Sequence, residues 1–356
     1  MNTYWNREDC LKGPADKKKS RAMGSYDPNE MIGPAGYDDN AHYIKPIHNM
    51  AYTITFENKS TATAPAHEVF VTDVLDKKKY DLSTFSFTGF GWADNSYTVG
   101  GSKTTEFSRD ISYNVKGQDI LVRVSGQFDK STGTIRWSFV SLKKNGDEID
   151  DPELGFLLPN NANGVGEGFV SFVVEHKANP ANASTIKNKA TIVFDANDPI
   201  VTNTYVNTFD TDYPTSKITK AVENKGKITV TVSGSDATSG IGAYRIYAFK
   251  NNGPAELVAT ITSGKTATFA CDAGTKYGLC VIATDNVGWV EAKDLKPEVE
   301  VSTTGTGIST ILMDDSENSE FIDLQGRHVK DPTAPGIYIQ NGKKVLIKKL
   351  VQEESE

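Results

Sequence analysis

The sequence predicts an all-β protein made of tandem antiparallel β-sandwiches, followed by a small β-module at the C-terminal end. Apolar and polar residues alternate along many short segments, which is the pattern of strands with one buried face. Gly, Asn, Asp and Pro separate these segments and favour turns. No window of about 11 residues keeps the apolar spacing of an amphipathic helix, so we expect helices to be few and short.

The first predicted sandwich spans residues 26–213. Its clearest strand patterns are residues 50–56, 67–72, 119–125, 133–140, 168–175 and 186–194. Trp137 lies between Ile135 and Phe139 in a period of two, so we expect its ring in the core. Short strands separated by turns suit an antiparallel sandwich.

The second predicted sandwich spans residues 214–302, because Pro214 opens a new series of strand patterns. These patterns are residues 227–233, 243–249, 257–261, 266–270 and 277–285. Residues 303–318 are predicted to be a linker, and the Ser, Thr and Gly residues of 299–307 favour the same interpretation. Residues 319–350 form the C-terminal module, and residues 1–25 have the composition of a linker remnant.

The C-terminal module combines strand patterns with glycine-containing turns. Its phrases are Ile322-Asp-Leu-Gln-Gly-Arg-His-Val329, Pro335-Gly-Ile-Tyr338 and Asn341-Gly-Lys-Lys-Val345. In this order they resemble the C-terminal sorting domain that the type IX secretion system of Bacteroidota recognises on its cargo. The matching residues are Asp323, Leu324, Gly326, Arg327, Pro335, Gly336, Tyr338, Asn341, Gly342 and Lys343.

This resemblance implies a partner and a location, and no reaction. The type IX secretion machinery would recognise the folded module, and the protein would be extracellular, either secreted or on the outer-membrane surface. In that family the module is often removed and replaced by a lipopolysaccharide anchor. The N-terminal residues lack the apolar stretch of about 7–15 residues of a signal peptide. For an exported protein we therefore expect either that the chain is the C-terminal part of a longer product or that its start codon is misassigned.

The two sandwiches also resemble known modules. Asp27-Pro-Asn-Glu30 and Asn197-Asp-Pro-Ile-Val-Thr-Asn203 resemble phrases of the conserved-repeat, Ig-like sandwich of large bacterial surface proteins. The second sandwich resembles a fibronectin type III or Ig-like module, in which Tyr277 takes the position of a tyrosine corner. Both resemblances imply noncatalytic spacer or adhesion modules.

Composition excludes some classes of partner. The 356 residues carry a net charge of -8, and binding nucleic acid requires a basic face. No stretch approaches the ~20 apolar residues of a membrane-spanning helix. Surface glycans and host or matrix proteins are the partners that remain open for an adhesion module.

Motifs of catalysis are missing from the sequence, so we expect no enzyme activity in this chain. His67-Glu68 lacks the second His of a zinc-protease helix. Gly164-Val-Gly-Glu-Gly168 precedes a strand pattern, whereas a dinucleotide-binding loop lies between a strand and a helix. One alternative is that these modules are the ancillary domains of a larger secreted hydrolase, a protease or a glycan-active enzyme.

Two oxygen-rich segments are candidate Ca²⁺ ligands. One contains Asp27, Asn29 and Glu30, and the other contains Asp195, Asn197 and Asp198. Ca²⁺ takes 6–8 oxygen ligands, but Asp and Asn beside Pro also build turns. Structural calcium and turn chemistry are therefore both open. Asp236 and Asp285-Asn286 are interpreted as turns.

An aromatic cluster offers a carbohydrate-binding alternative. Phe85, Phe87, Phe90, Trp92 and Tyr97 surround a glycine-rich stretch. Exposed rings such as Trp92 and Tyr97 could stack on sugars. The other interpretation is that Phe85 and Phe87 point into the core and residues 90–92 cover an open end of the sandwich, since large rings normally supply core area.

The three cysteines, Cys10, Cys271 and Cys280, match no zinc-site spacing. The alternation of the last strand pattern places Tyr277, Leu279 and Val281 inside and leaves Cys280 outside, whereas Cys271 points inward. We therefore do not expect a Cys271–Cys280 disulfide, because its geometry requires side chains that face each other.

Overall fold

A computed structural model describes residues 28–47, 49–101, 103–304, 321–332, 334–340 and 343–347. Those residues form 25 β-strands and no helix, so the prediction of an all-β protein is confirmed. Within this part of the chain, no helical segment qualifies as a membrane span.

The strands are numbered in chain order. The first are β1 (Met31–Ile32), β2 (Tyr43–Ile44), β3 (Met50–Glu57), β4 (Glu68–Val74), β5 (Tyr80–Trp92), β6 (Asn95–Thr98), β7 (Glu106–Val115), β8 (Gln118–Asp129), β9 (Thr134–Leu142), β10 (Glu167–His176), β11 (Thr185–Asn188), β12 (Ala190–Phe194), β13 (Ile200–Val201) and β14 (Tyr205–Phe209). The others are β15 (Thr215–Asn224), β16 (Lys227–Ser235), β17 (Ile241–Lys250), β18 (Ala255–Ile261), β19 (Thr266–Ala270), β20 (Lys276–Asp285), β21 (Val299–Ser302), β22 (Phe321–Asp323), β23 (His328–Val329), β24 (Gly336–Gln340) and β25 (Lys343–Ile347).

The chain divides into two compact units, each discontinuous in sequence. The first contains the described residues up to Ala35, together with Ile47–Asn179 and Thr185–Asn207. The second contains Gly36–Pro46, Pro180–Ser184 and the described residues from Thr208 onwards. Sequence patterns placed the change of domain at residue 214, a few residues after Thr208.

The first unit is a sandwich of two antiparallel sheets. Their strand orders are β1-β3-β10-β5-β6 and β13-β12-β4-β9-β8-β7. In β3, alternate side chains from Met50 to Phe56 are buried, which is the period of two that directs one face of a strand inward. Rings from the two sheets meet in the core, where the centroids of Phe56 and Phe139 lie 5.4 Å apart. Trp137 is only 1% exposed, so its predicted core position is confirmed.

The second unit contains a sandwich of three plus four strands. Its sheets have the orders β15-β16-β19 and β18-β17-β20-β21. Ile228, Val230 and Val232 from β16 face Leu279 and Val281 from β20 in one hydrophobic core. A parallel pair, Thr208 with Tyr43 and Phe209 with Ile44, connects β14 and β2 in the same unit. This number of strands suits the fibronectin type III or Ig-like module that the sequence resembles.

Tight hairpins set the register of neighbouring strands. Only two residues, Lys116 and Gly117, separate β7 from β8, with φ angles of 49° and 86°. Lys225 and Gly226 connect β15 to β16 in the same way, with φ angles of 52° and 77°. Positive φ at both turn residues is the requirement of a type I′ turn, and glycine meets it without steric strain.

Two details of the second sandwich were predicted wrongly. Cys280 is fully buried rather than outside, because the chain at residues 296–298 lies against this face of β20. At the edge of β20 beyond β21, Glu291 and Glu298 accept the backbone N–H groups of Ala283 and Val281, both at 3.0 Å. In addition, residues 299–302 are not a linker. They form β21, which pairs with the first half of β20 and completes the sheet.

Candidate functional site

The C-terminal module is a four-stranded antiparallel sheet with the order β23-β22-β24-β25. Phe321, Tyr338 and Val345 form its core, and Val329 and Ile347 pack against them. The phrases that resemble a sorting domain therefore fold into a β-unit with a small core of its own.

Asp323 organises the turn between β22 and β23. Its Oδ1 accepts the backbone N–H groups of Gln325 at 3.0 Å and of Arg327 at 2.9 Å, and its Oδ2 accepts the Arg327 Nε–H at 2.7 Å. The backbone hydrogen bond from Arg327 is the main reason why the pKa of Asp323 is lowered. Gly326 has a φ of 81°, which a residue with a Cβ adopts only at a cost. The Asp-x-x-Gly-Arg spacing thus follows from the hydrogen bonds and the positive φ that this turn requires.

The same turn leaves two matching side chains in solvent. Leu324 is 65% exposed, and the side chain of Arg327 is 76% exposed, compared with 11% for Asp323. Asp323 and Gly326 therefore shape the turn, whereas Leu324 and Arg327 are accessible to a partner.

The second matching phrase fixes the start of β24. Tyr338 is buried, and its hydroxyl donates to the backbone carbonyl of Ala334 at 3.0 Å, across the turn that contains Pro335 and Gly336. Lys343 is the first residue of β25. Asn341 and Gly342 lie outside the described residues.

The predicted calcium ligands contact different strands of the first sandwich, and Asp27 lies outside the described residues. Asn29 is buried, and its Oδ1 accepts the backbone N–H of Glu57 at 3.3 Å. Glu30 pairs through its backbone with Thr55. These contacts stabilise the chain before β3.

In the second predicted segment, Asp195 uses Oδ1 to accept the backbone N–H groups of His67 at 2.9 Å and Glu68 at 2.8 Å. Asn197 donates from Nδ2 to the carbonyl of Phe194 at 2.9 Å. Asp198 is exposed. The contacts of this segment are those of turn and strand-end caps.

The aromatic candidates lie inside the first sandwich. Trp92 is 1% exposed, and Phe85, Phe87 and Phe90 are equally buried. Tyr97 is half-buried on β6, where its ring stacks on Phe90 at 5.3 Å. A buried Trp92 ring presents no face to a sugar, so this placement favours the core role over carbohydrate binding.

Two aspartates that the sequence pattern assigns to turns, Asp236 and Asp285, converge with Asp210 in the second unit. One carboxylate oxygen each from Asp210, Asp236 and Asp285 lies within 4.8 Å of the other two. Among the described residues, no other group of three His, Cys, Asp or Glu side chains converges in this way. Asp210 and Asp285 are buried, and Asp236 is half-buried.

Each of these aspartates is positioned by backbone N–H groups at the end of a strand. Asp236 follows β16, and its Oδ1 accepts from Thr238 at 3.1 Å and Gly240 at 2.8 Å. Asp285 ends β20, and its Oδ1 accepts from Val287 at 3.0 Å and Trp289 at 2.7 Å.

Asp210 follows β14 and connects two of these loops. Its Oδ2 accepts from the backbone N–H of Ser239 at 3.0 Å, and its Oδ1 from that of Asp212 at 3.2 Å. Its backbone carbonyl accepts the indole N–H of Trp289 at 2.8 Å. The carboxylate positions are therefore fixed by the loops themselves.

Residues 27–121 and 153–208 match a family that is described as a domain of unknown function (DUF7619). This match covers less than half of the chain and assigns no activity. No curated protein matches the chain.

Solved structures with similar strands include bacterial surface proteins and an animal protein. The major pilin subunit BcpA of Bacillus cereus is 14% identical, with 76% of this chain and 64% of that chain covered and a TM-score of 0.28. The FN1–FN3 domains of chicken CNTN1 are 12% identical, with coverage of 78% and 68% and a TM-score of 0.31. The collagen-binding domain of a Staphylococcus aureus adhesin is 10% identical, with coverage of 52% and 99% and a TM-score of 0.27. Sequence identities and TM-scores this low do not indicate what the chain binds.

Proposed function

We propose that this chain is a noncatalytic part of an exported cell-surface protein, in which two β-sandwiches act as spacer or adhesion modules and the C-terminal module is a type IX sorting signal. The proposal rests on one observation above all. Residues that match the sorting phrases divide into a set that builds the module and a set that the module presents to solvent.

The building set explains why a secretion machine would recognise a fold. Asp323 caps the turn, Gly326 supplies its positive φ, and Tyr338 fills the core. If one of these three residues is replaced so that its role is lost, the turn or the sheet does not form, and the exposed residues lose their arrangement.

The presented set supplies the contacts. Leu324 offers apolar area that is in water in the free protein, and Arg327 offers a guanidinium whose Nε is already fixed by Asp323. Burying a leucine side chain stabilises a complex by about 1.5–3 kcal/mol. An arginine whose rotamer is fixed before binding loses less conformational entropy when it binds.

A reporter experiment tests the sorting role. Residues 308–356 are fused to the C-terminus of a periplasmic reporter in a host with a type IX system, and the reporter outside the cell is quantified. Replacing Leu324 by Ala removes exposed apolar area without touching the core, so we expect export to fall about tenfold or more.

The matched control is Gln325→Ala, which changes an exposed neighbour that is not one of the matching residues, and it should export normally. Limited proteolysis of both purified fusions checks that the module is folded. The proposal fails if the unmodified fusion stays in the periplasm at the level of the untagged reporter. Equal export of the Leu324 and Gln325 variants would contradict the assigned contact surface.

A further inference from the structure

We propose that Asp210, Asp236 and Asp285 form a Ca²⁺ site in the second unit, and that the bound ion fixes the segment that leads into β15 to the loops after β16 and β20. The site differs from the two segments that the sequence predicted as calcium ligands, since both of those belong to the first unit.

Three buried oxygens of this group have no protein partner among the described residues. They are Oδ2 of Asp236, Oδ2 of Asp285 and Oγ of Ser239, and none of them accepts or donates a hydrogen bond within that part of the chain. Asp285 is 4% exposed, and Ser239, whose backbone N–H binds Asp210, is 6% exposed. Buried polar atoms normally have partners, and a carboxylate oxygen without one is costly.

The three aspartates also concentrate negative charge in one place. Within the described ranges, no Lys or Arg forms an ion pair with any of the three aspartates. Lys45 belongs to the same unit, but its Nζ donates to the carbonyl of Gly288 at 2.6 Å and lies 4.4 Å from the Trp289 ring centroid. Three carboxylates this close to one another repel, and a cation between them would relieve this repulsion.

The donor set selects the ion. All three side chains offer oxygen, and no His or Cys belongs to the group, which excludes the usual zinc ligands. Ca²⁺ binds oxygen at about 2.3–2.6 Å, so ligands on opposite sides of the ion lie about 4.6–5.2 Å apart. The three oxygens lie within 4.8 Å of one another, so a single ion between them can contact all three. Mg²⁺ usually keeps several waters, for which a buried group has less room.

The ion would connect three segments that are distant in sequence, namely those that carry Asp210, Asp236 and Asp285. Asn182 already links two of them, because its Oδ1 accepts the Thr211 N–H at 3.0 Å and its Nδ2 donates to Thr238 Oγ1 at 2.8 Å. The loops therefore hold their arrangement without the ion, and Ca²⁺ adds stability to it. Extracellular calcium modules bind with dissociation constants of about 10⁻⁴–10⁻³ M, a range that suits a surface protein.

The test uses the purified full chain, depleted of metal with a chelator and titrated with CaCl₂. Calorimetry should show an unfolding transition that rises by about 10 °C or more when Ca²⁺ exceeds its dissociation constant about 100-fold. Equilibrium dialysis should find one Ca²⁺ bound per chain at saturation, and this binding should depend on these aspartates. MgCl₂ at the same concentration should give a much smaller shift.

Asp285→Asn keeps an oxygen for the N–H groups of Val287 and Trp289 but removes one negative charge. We expect it to abolish the calcium shift while leaving the melting temperature in chelator equal to or above that of the unmodified chain, because like charges no longer repel. A side chain with only a structural role would lower the melting temperature in both conditions.

Asp195→Asn is the matched control, because Asp195 also accepts two backbone N–H groups through Oδ1 and lies in a predicted calcium segment. It should retain the full calcium shift. Asp236→Asn, at a half-buried position, repeats the test if Asp285→Asn does not fold. The inference is overturned if Ca²⁺ neither binds nor shifts the transition at about 100 mM, which is about 100 times the weakest expected dissociation constant. It is also overturned if Mg²⁺ acts equally, or if Asp195→Asn abolishes the effect and Asp285→Asn does not. Since export plays no part in this measurement, its outcome is independent of the sorting proposal.

Discussion

Asp73 is a carboxylic acid inside the first sandwich, and its ionisation should set the pH dependence of that unit. It lies on the inward face of β4 after Val69 and Val71, and it is 1% exposed. Asn188 donates to its Oδ2 at 2.7 Å, whereas its Oδ1 is buried and has no hydrogen-bond partner in the described part of the chain. Burial raises the pKa of Asp73 from 3.8 to about 7, although the hydrogen bond from Asn188 opposes this shift.

The sign of the effect follows from the direction of the shift. The folded protein binds a proton that the unfolded chain releases, so stability is fully present below pH 3.8 and is lost as the pH rises to about 7. Raising the pKa of Asp73 from 3.8 to about 7 corresponds to a loss of about 4 kcal/mol in the free energy of unfolding above pH 7. Replacing Asp73 by Asn keeps an acceptor for Asn188 and removes the titration. The variant should therefore gain about 3 kcal/mol relative to the unmodified chain between about pH 5 and pH 8.

Urea unfolding measures this difference. Trp92 and Trp137 are both buried in the first sandwich, so their fluorescence reports its unfolding. The comparison of pH values separates ionisation from packing, since any change in packing is the same at each pH. A stability difference that stays constant from about pH 5 to pH 8 would refute the assignment of a protonated, buried Asp73.

Three further outcomes are expected. The hydroxyls of Ser131 and Thr132 lower the pKa of the exposed Asp129 to about 2, so Asp129→Asn should destabilise at neutral pH, and the loss should vanish as the pH falls through about 2. Tyr277→Phe should lower stability in urea unfolding by about 1–3 kcal/mol, because the Asp272 N–H loses its 2.8 Å acceptor at the tyrosine corner. Burial raises the pKa of Cys280 to about 11, so in a Cys10→Ser background mass spectrometry should find iodoacetamide on Cys271 and none on Cys280 in the native protein.

Local alternation predicted most strands because one face of each is buried against the other sheet. It failed where glycine interrupts the pattern. β5 runs through Gly89 and Gly91 for 13 residues, whereas the sequence pattern singles out only its aromatic residues. Its partner β10 holds it in place, with Trp92 opposite Gly168 and a register shift after Ser171. A Cβ at Gly91 would lie 2.6 Å from the Phe169 ring, so the glycine permits a close contact that no local pattern reveals.

Cys280 shows a second limit of local patterns. Alternation correctly identified Tyr277, Leu279 and Val281 as core residues, and they form part of the core cluster. It says nothing about the opposite face of β20, against which the chain at residues 296–298 lies. A Cβ on Gly278 would lie only 2.7 Å from the Pro297 ring. Burial on both faces thus depends on a loop whose position only the tertiary structure shows.

The acidic group of the second unit was missed for a different reason, since each aspartate taken alone is a turn residue. Their convergence follows from the strand order. Thr215 pairs with Ser235, so the start of β15 and the end of β16 lie at one end of the sandwich. Ile241 pairs with Asp285, so the start of β17 and the end of β20 also lie at one end of the sandwich. The short loop from Ser235 to Ile241 places this at the same end as the start of β15. Asp210 lies before β15, Asp236 follows β16 and Asp285 ends β20, so all three lie at this end of the sandwich. Only the strand register shows that these turn residues are close enough to form a candidate cation site.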